Sequence, residues 1–255
     1  MSNLALFSTL LFILITIMIS YWQKLGLERD LAINTVRSAV QLFLIGYVLQ
    51  YVFRSNQPGL IILIIMMMIG VASLNVSQRA KGFRGIWWKV AITIAFTETL
   101  TLVLMLGFRI IEPTPRYIIP MGGMVAGNSM IACSLFLSQM NREVETSSGE
   151  IETLLALGAT TRQSIQDVLA RAVKASMIPN IDNMKTVGLV MLPGVMTGMI
   201  VAGASPIEAV RYQILIMFLF AASPAVTSML LSLITYRMWF TKDSMLSEKS
   251  RRYSS

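Results

Sequence analysis

The sequence contains no histidine and a single cysteine. Without histidine, serine–histidine catalysis and histidine metal ligation are excluded. Cys133 stands alone and can form no internal disulfide. No Gly-x4-Gly-Lys-Ser/Thr loop is present, and not even a Gly-Lys dipeptide, so the chain carries no phosphate-binding loop of that type. Charge is scarce as well. Charged residues make up 13% of the chain, where a soluble domain carries about 25%. Against these shortages stands a 55% hydrophobic content. Together they point to an integral membrane protein. The net charge of +8 does not suggest a nucleic-acid partner, because the basic residues fall in short segments between apolar runs.

A membrane-crossing helix needs roughly 20 mostly apolar residues. Seven stretches qualify: Leu4–Trp22, Leu31–Phe53, Pro58–Ser77, Val90–Ile111, Tyr117–Gln139, Thr186–Ala204 and Ala209–Tyr236. The first has no basic residue before it and no clear cleavage site, so it reads as a retained helix. Loop charge orients the set. Sixteen Lys and Arg fall on one side and four on the other, which places the N-terminus outside and the C-terminus in the cytoplasm. The expected fold is all-α and polytopic, in one membrane domain: helices 1–5 over 1–140, a cytoplasmic segment over 141–185, helices 6–7 over 186–236, and a cytoplasmic tail over 237–255 that is polar and mobile from Thr241.

The segment 141–185 is unlike its flanks. Ile151, Leu154 and Leu155 follow i, i+3, i+4 spacing, and so do Ile165, Val168, Leu169, Ala172 and Val173. Between them lies Gly158-Ala-Thr-Thr. Glycine stops one helix, and Thr160 with Gln163 forms a capping box that starts the next. The reading is helix, tight turn, helix, the second ending near Ile178-Pro179. On these residues alone, an amphipathic pair lying on the bilayer surface remains an alternative.

Glu152, with Gly158 six residues later in Leu155-Ala-Leu-Gly-Ala-Thr, resembles the Glu-Ala-Ala…Gly cytoplasmic loop of ABC-transporter permeases. Thr153 and Leu154 replace its two alanines, and no Ile-x-Leu-Pro follows. The resemblance widens along the chain. Arg37-Ser-Ala-Val-Gln-Leu-Phe-Leu-Ile-Gly-Tyr-Val-Leu, Gly123-Met-Val-Ala-Gly-Asn-Ser-Met, Thr186-Val-Gly-Leu-Val-Met-Leu-Pro-Gly-Val-Met-Thr-Gly and Ala202-Gly-Ala-Ser-Pro are similar to the FetB-type permeases. These are bacterial iron-export permeases with plant relatives linked to aluminium tolerance. The resemblance implies a bacterial plasma-membrane permease, not itself an enzyme, exporting a metal ion. It implies a homodimer working with a cytoplasmic ABC ATPase subunit. ATP and Mg would sit on that partner, with no cofactor on this chain. It places ATPase coupling at Glu152, Leu155, Leu157, Gly158, Ala159 and Thr160.

Polar groups within a span are costly and functional by default. Arg37 and Gln41, on one face with Asn34, could line the inner mouth of a path, or Arg37 could snorkel to the headgroups. Glu98, the one carboxylate deep in an expected span, could contact a cation, carry a proton or pair with Arg37. Asn128 could bond a neighbouring helix or a solute. Pro193-Gly194 breaks its span and could hinge alternating access, with Met196 beside it. Nineteen methionines suit soft metals in principle, yet thioethers also fill irregular packing, and no metal-ligand set emerges. An ion-coupled secondary transporter using Glu98 is the competing reading.

Overall fold

A computed structural model describes residues 3–55, 57–80, 83, 85–241 and 243–247, with side chains from Leu11 onward. Lys81, Arg84, Lys242, Lys249, Arg251 and Arg252 of the charge count, and the tail beyond Ser247, lie outside the described residues. Among the described residues the chain is helical throughout, with two isolated β-bridges and no strands. The helices are α1 (Asn3–Trp22), α2 (Glu28–Ser55), α3 (Pro58–Arg79), α4 (Ile86–Gly107), α5 (Pro115–Thr146), α6 (Ser148–Ala156), α7 (Thr161–Thr186), α8 (Gly194–Val201) and α9 (Pro206–Thr235), followed by a 3-10 turn over Tyr236–Trp239. Five of them, α2, α3, α4, α5 and α9, are long and apolar enough to cross a membrane, and α1 is apolar over Leu11–Trp22.

The chain forms two compact units, Met1–Gln57 and Pro58–Ser255. In the first, α1 and α2 form a hairpin. Its turn uses Lys24 at φ 54 and Gly26 at φ 71. Ser20 ties the turn, donating to Glu28 Oε2 at 3.0 Å and accepting from the Leu27 N–H at 3.2 Å.

In the second unit α5 is central and packs on α3, α4, α7 and α9. One apolar cluster gathers at one end of the bundle: Val76, Val90, Phe136, Met140, Val144, Ile151, Ile165 and Trp239. A second, around Met105, Ile111, Met121 and Ile216, closes the other end, with Val195 packed against it. Between the clusters the contacts are polar and small. Thr227 Oγ1 on α9 lies 3.1 Å from Thr97 Oγ1 on α4 and 3.0 Å from Ser129 Oγ on α5, and it donates to the Ser223 carbonyl at 2.7 Å. Ser176 on α7 and Ser228 on α9 meet at 3.0 Å. Small hydroxyl residues let backbones approach and satisfy one another where water is absent.

Several expected boundaries move. The fourth helix was read as far as Ile111 but stops at Gly107, where Arg109 takes φ 55 and the Ile110 N–H reaches back to the Met105 carbonyl at 2.8 Å. The fifth was ended at Gln139, yet α5 continues to Thr146, because Met140 and Val144 still have apolar partners. Loss of apolarity is not loss of helicity. The second helix of the 141–185 segment was ended near Pro179, but α7 runs through that proline to Thr186. The expected sixth span, Thr186–Ala204, is not a continuous helix. Gly188 adopts φ 82, residues 187–193 form a bonded loop, and α8 is only 8 residues long. At 1.5 Å per residue such a helix covers about 12 Å, and glycine and proline are the poorest helix formers. The tail, expected to be mobile from Thr241, folds back through its described part. Phe240 bridges Leu246, and the Ser247 N–H donates to the Trp239 carbonyl at 2.9 Å.

Thr227→Val keeps the volume and removes the hydroxyl that joins three helices. Its expected cost is about 1 kcal/mol, since interhelical hydrogen bonds in membranes average about 0.6 and reach about 1.7 kcal/mol. Thermal unfolding of the detergent-purified protein measures it, with Thr16→Val, whose hydroxyl bonds only its own helix at the Phe12 carbonyl, as the reference.

Candidate functional site

The turn between α6 and α7 is fixed by local chemistry. Gly158 adopts φ 89, a conformation that side-chain-bearing residues enter at a cost. The Ala159 N–H donates to the Leu154 carbonyl and the Gly158 N–H to the Leu155 carbonyl, both at 3.0 Å. This pair of bonds satisfies the last carbonyls of α6. Thr160 then caps α7. Its Oγ1 accepts from the Gln163 N–H at 3.3 Å, while Gln163 Oε1 accepts from the Thr160 N–H at 2.9 Å. Both halves of the turn are therefore tied to their own helices, and no residue between them is free to wander.

The fold anchors the turn on one side only. Ile151 and Ile165 are buried against Val144 and Trp239. Arg171 braces the elbow between α5 and α6: its Nε donates to Glu143 Oε2 at 2.7 Å and its Nη2 to Ser147 Oγ at 2.8 Å. The hydrogen bond that Arg171 donates to Glu143 raises the Arg171 pKa above its ordinary value, so the brace carries full charge at any physiological pH. On the other side the turn is open among the described residues. Leu157 is 79% exposed and Glu152, Gly158 and Thr160 are exposed, while Leu155 and Ala159 are half-buried. Leu155 and Ala159 form one wall of a groove of about 970 Å³, whose other wall is the folded tail at Asp243, Met245 and Leu246. A rigid, apolar, uncovered tip of this kind can enter a complementary cleft.

The second candidate lies inside the bundle. Glu98 on α4 is 1% exposed, and among the described residues neither carboxylate oxygen has a hydrogen-bond partner. Gly122 on α5 makes room for it, since a Cβ there would lie 2.8 Å from Glu98 Oε1. A lone carboxylate so placed is costly unless something compensates it. Among the described residues no group of three His, Cys, Asp or Glu side chains comes together, so the geometry offers a single acidic contact.

The other residues singled out from sequence do not converge. Asn128 is half-buried on α5, one position from Ser129. Pro193 and Gly194 begin α8, with Met196 one turn in and Val195 in the far cluster. Arg37 and Gln41 are exposed on α2 in the first unit. Two features escaped sequence reasoning: the glycine facing Glu98 and the hydroxyl seam of Thr97, Ser129 and Thr227. A signal existed for the seam. Thr93, Thr97 and Thr101 recur every four residues within an apolar run.

Comparison with known proteins agrees with this architecture. The model of a family described as "Uncharacterised protein family (UPF0014)" matches residues 3–240. The chain is 47% identical to UPF0014 membrane protein YjkA of Bacillus subtilis (strain 168), over 97% of this chain and 99% of that protein. It is 33% identical to the Probable iron export permease protein FetB of Escherichia coli (strain K12), over 96% and 95% of the two chains. It is 36% identical to Protein ALUMINUM SENSITIVE 3 of Arabidopsis thaliana, over 92% and 86%. No solved structure matches it.

Gly158→Ala should strain the turn by about 1 kcal/mol, the cost of placing a side chain in the left-handed region. Hydrogen exchange tests this. Amides of α6 and the first turn of α7 should exchange faster, with those of α4 unchanged.

Proposed function

Because the chain belongs to the UPF0014 family of membrane proteins, we propose that it is the permease subunit of an ABC-type transporter, driven by a separate ATPase and exporting a metal ion, iron first. The observation that carries this reading is the apolar tip at Leu157, held rigid by its glycine turn and capping box and left uncovered. A chain with no phosphate-binding loop needs such a surface if its work is driven by ATP. The relative named as a probable iron export permease supports the choice of cargo.

In this reading the α6–α7 turn faces the cytoplasm of a bacterial cell and seats in a cleft of the ATPase, with Glu152, Leu155, Leu157, Gly158, Ala159 and Thr160 at the contact. ATP and Mg are bound by the ATPase. Arg171, through Glu143 and Ser147, joins α7 to the end of α5, so a push on the turn moves α5, α6 and α7 together. Two permease copies frame one path, as one chain supplies half of it. Glu98 is the cation contact, and Asn128, Pro193, Gly194 and Met196 line the remainder. The chain performs no catalysis of its own. Glu98 also favours a second reading, an ion-coupled secondary transporter, since a buried carboxylate without a partner suits a coupling ion equally well.

Charge insertion decides between them. Leu157→Asp and Ala159→Asp should abolish co-purification of the ATPase while leaving membrane insertion intact. Normal association in both variants removes the docking role, and transport that persists with a hydrolysis-dead ATPase selects the secondary transporter. Glu98→Gln should impair metal export with assembly unchanged; full export by that variant removes Glu98 from the path.

A further inference from the structure

The polar helix α7 does not stay at one end of the bundle. It begins beside the end of α5, where Arg171 contacts Glu143 and Ser147. Five residues later Ser176 reaches Ser228 of α9. The neighbouring Thr227 bonds both Thr97 and Ser129. Thr97 is close to the middle of α4, which runs from Ile86 to Gly107 and is long enough to cross a membrane. Ser176 therefore lies near mid-depth. The helix continues for ten residues to Thr186, about 15 Å at 1.5 Å per residue, or half of a hydrocarbon core about 30 Å thick. The chain then emerges at the far end, where Val195 packs against the cluster of Met105, Ile111 and Ile216.

We propose that α7 is the sixth membrane crossing, in place of Thr186–Ala204, and that its second half stands in a water-filled path open to the face opposite the α6–α7 turn. That half carries an apolar strip, Ile178, Ile181 and Met184, that can face lipid, and a polar remainder that lipid does not suit. Asn180 and Asn183 follow Ser176 at i+4 and i+7 and so share its face, while Asp182 and Lys185 lie on the other side. Asp182 and Lys185 pair at 3.1 Å with side chains 58% and 67% exposed. Asp182 lies six residues past Ser176, about 9 Å at 1.5 Å per residue, still inside the half-core, where exposed charge faces water or another protein, not acyl chains; Lys185 reaches the core's edge. Pro179 falls within this half, and the bonded loop 187–193 follows it with Leu189 and Val190 almost fully exposed. Non-helical backbone within a membrane protein is tolerated where it lines a cavity or reaches the surface. The amides and the ion pair offer ligands of both signs, which suits a hydrated ion or a small hydrophilic solute. That last step rests on the transport reading above; the crossing itself does not.

Sided cysteine labelling tests it in the full-length protein in membrane vesicles of both orientations. The native Cys133 is fully buried and serves as a silent internal thiol. Gln166→Cys, near the start of α7, should react with a charged, membrane-impermeant thiol reagent only from the face carrying the α6–α7 turn. Asn183→Cys and Thr186→Cys should react only from the opposite face, with loss of labelling when the reagent is confined to the first. Reaction of all three from one face would overturn the crossing. No reaction at positions 183 and 186 from either face, in protein whose Gln166→Cys reacts normally, would overturn the water path. Wild-type chromatographic behaviour of each variant guards against misfolding. The readout needs no ATPase, so an ATPase that fails to associate sinks the transport assignment and leaves this result standing.

Discussion

The hydroxyl of Thr227 joins three helices at one point, and much of the bundle depends on it. In water a threonine hydroxyl exchanges partners freely. Inside a membrane protein the partner must be supplied, and here Thr97, Ser129 and the Ser223 carbonyl supply it. The bond fixes the relative depth of α4, α5 and α9. Ser176 and Ser228, one residue further along α9, extend the same register to α7. Apolar packing alone would leave helices free to slide past one another, since lipid competes for the same contacts.

The polar seam also separates two functions. Toward one end, apolar packing around Phe136, Ile151, Ile165 and Trp239 holds α6, the start of α7 and the folded tail as a firm platform. The turn at Gly158 projects from it. Toward the other end the second half of α7 mixes Asn180, Asp182, Asn183 and Lys185 with exposed Ile178, Ile181 and Met184, and α8 is short. Arg171 ties α7 to the elbow between α5 and α6, the connection on which the proposed drive relies.

Glu98 stands apart from this frame. Its carboxylate is enclosed, faces the gap left by Gly122, and has no hydrogen-bond partner among the described residues. Interhelical hydroxyl bonding explains the Thr97 seam but not Glu98. In the proposed transport reading, this carboxylate meets a cation during the working cycle.

Local rules in the sequence determined the membrane class, the helical fold and the turn at Gly158. Each of these rests on neighbours in the chain: the length of an apolar run, glycine entering the left-handed region, Thr160 capping with Gln163. The identity of Glu98 as a deep carboxylate was legible for the same reason. Hydropathy favours a continuous span over Thr186–Ala204, where the structure has a loop and the short α8. Only the tertiary structure showed how the polar α7 packs, through Ser176 meeting Ser228. A polar helix is admitted to a bundle by partners distant in sequence, and those partners cannot be read from the helix itself. Gly122 opposite Glu98 and the folded tail against Trp239 were hidden for the same reason, since both are contacts between segments that no local pattern links.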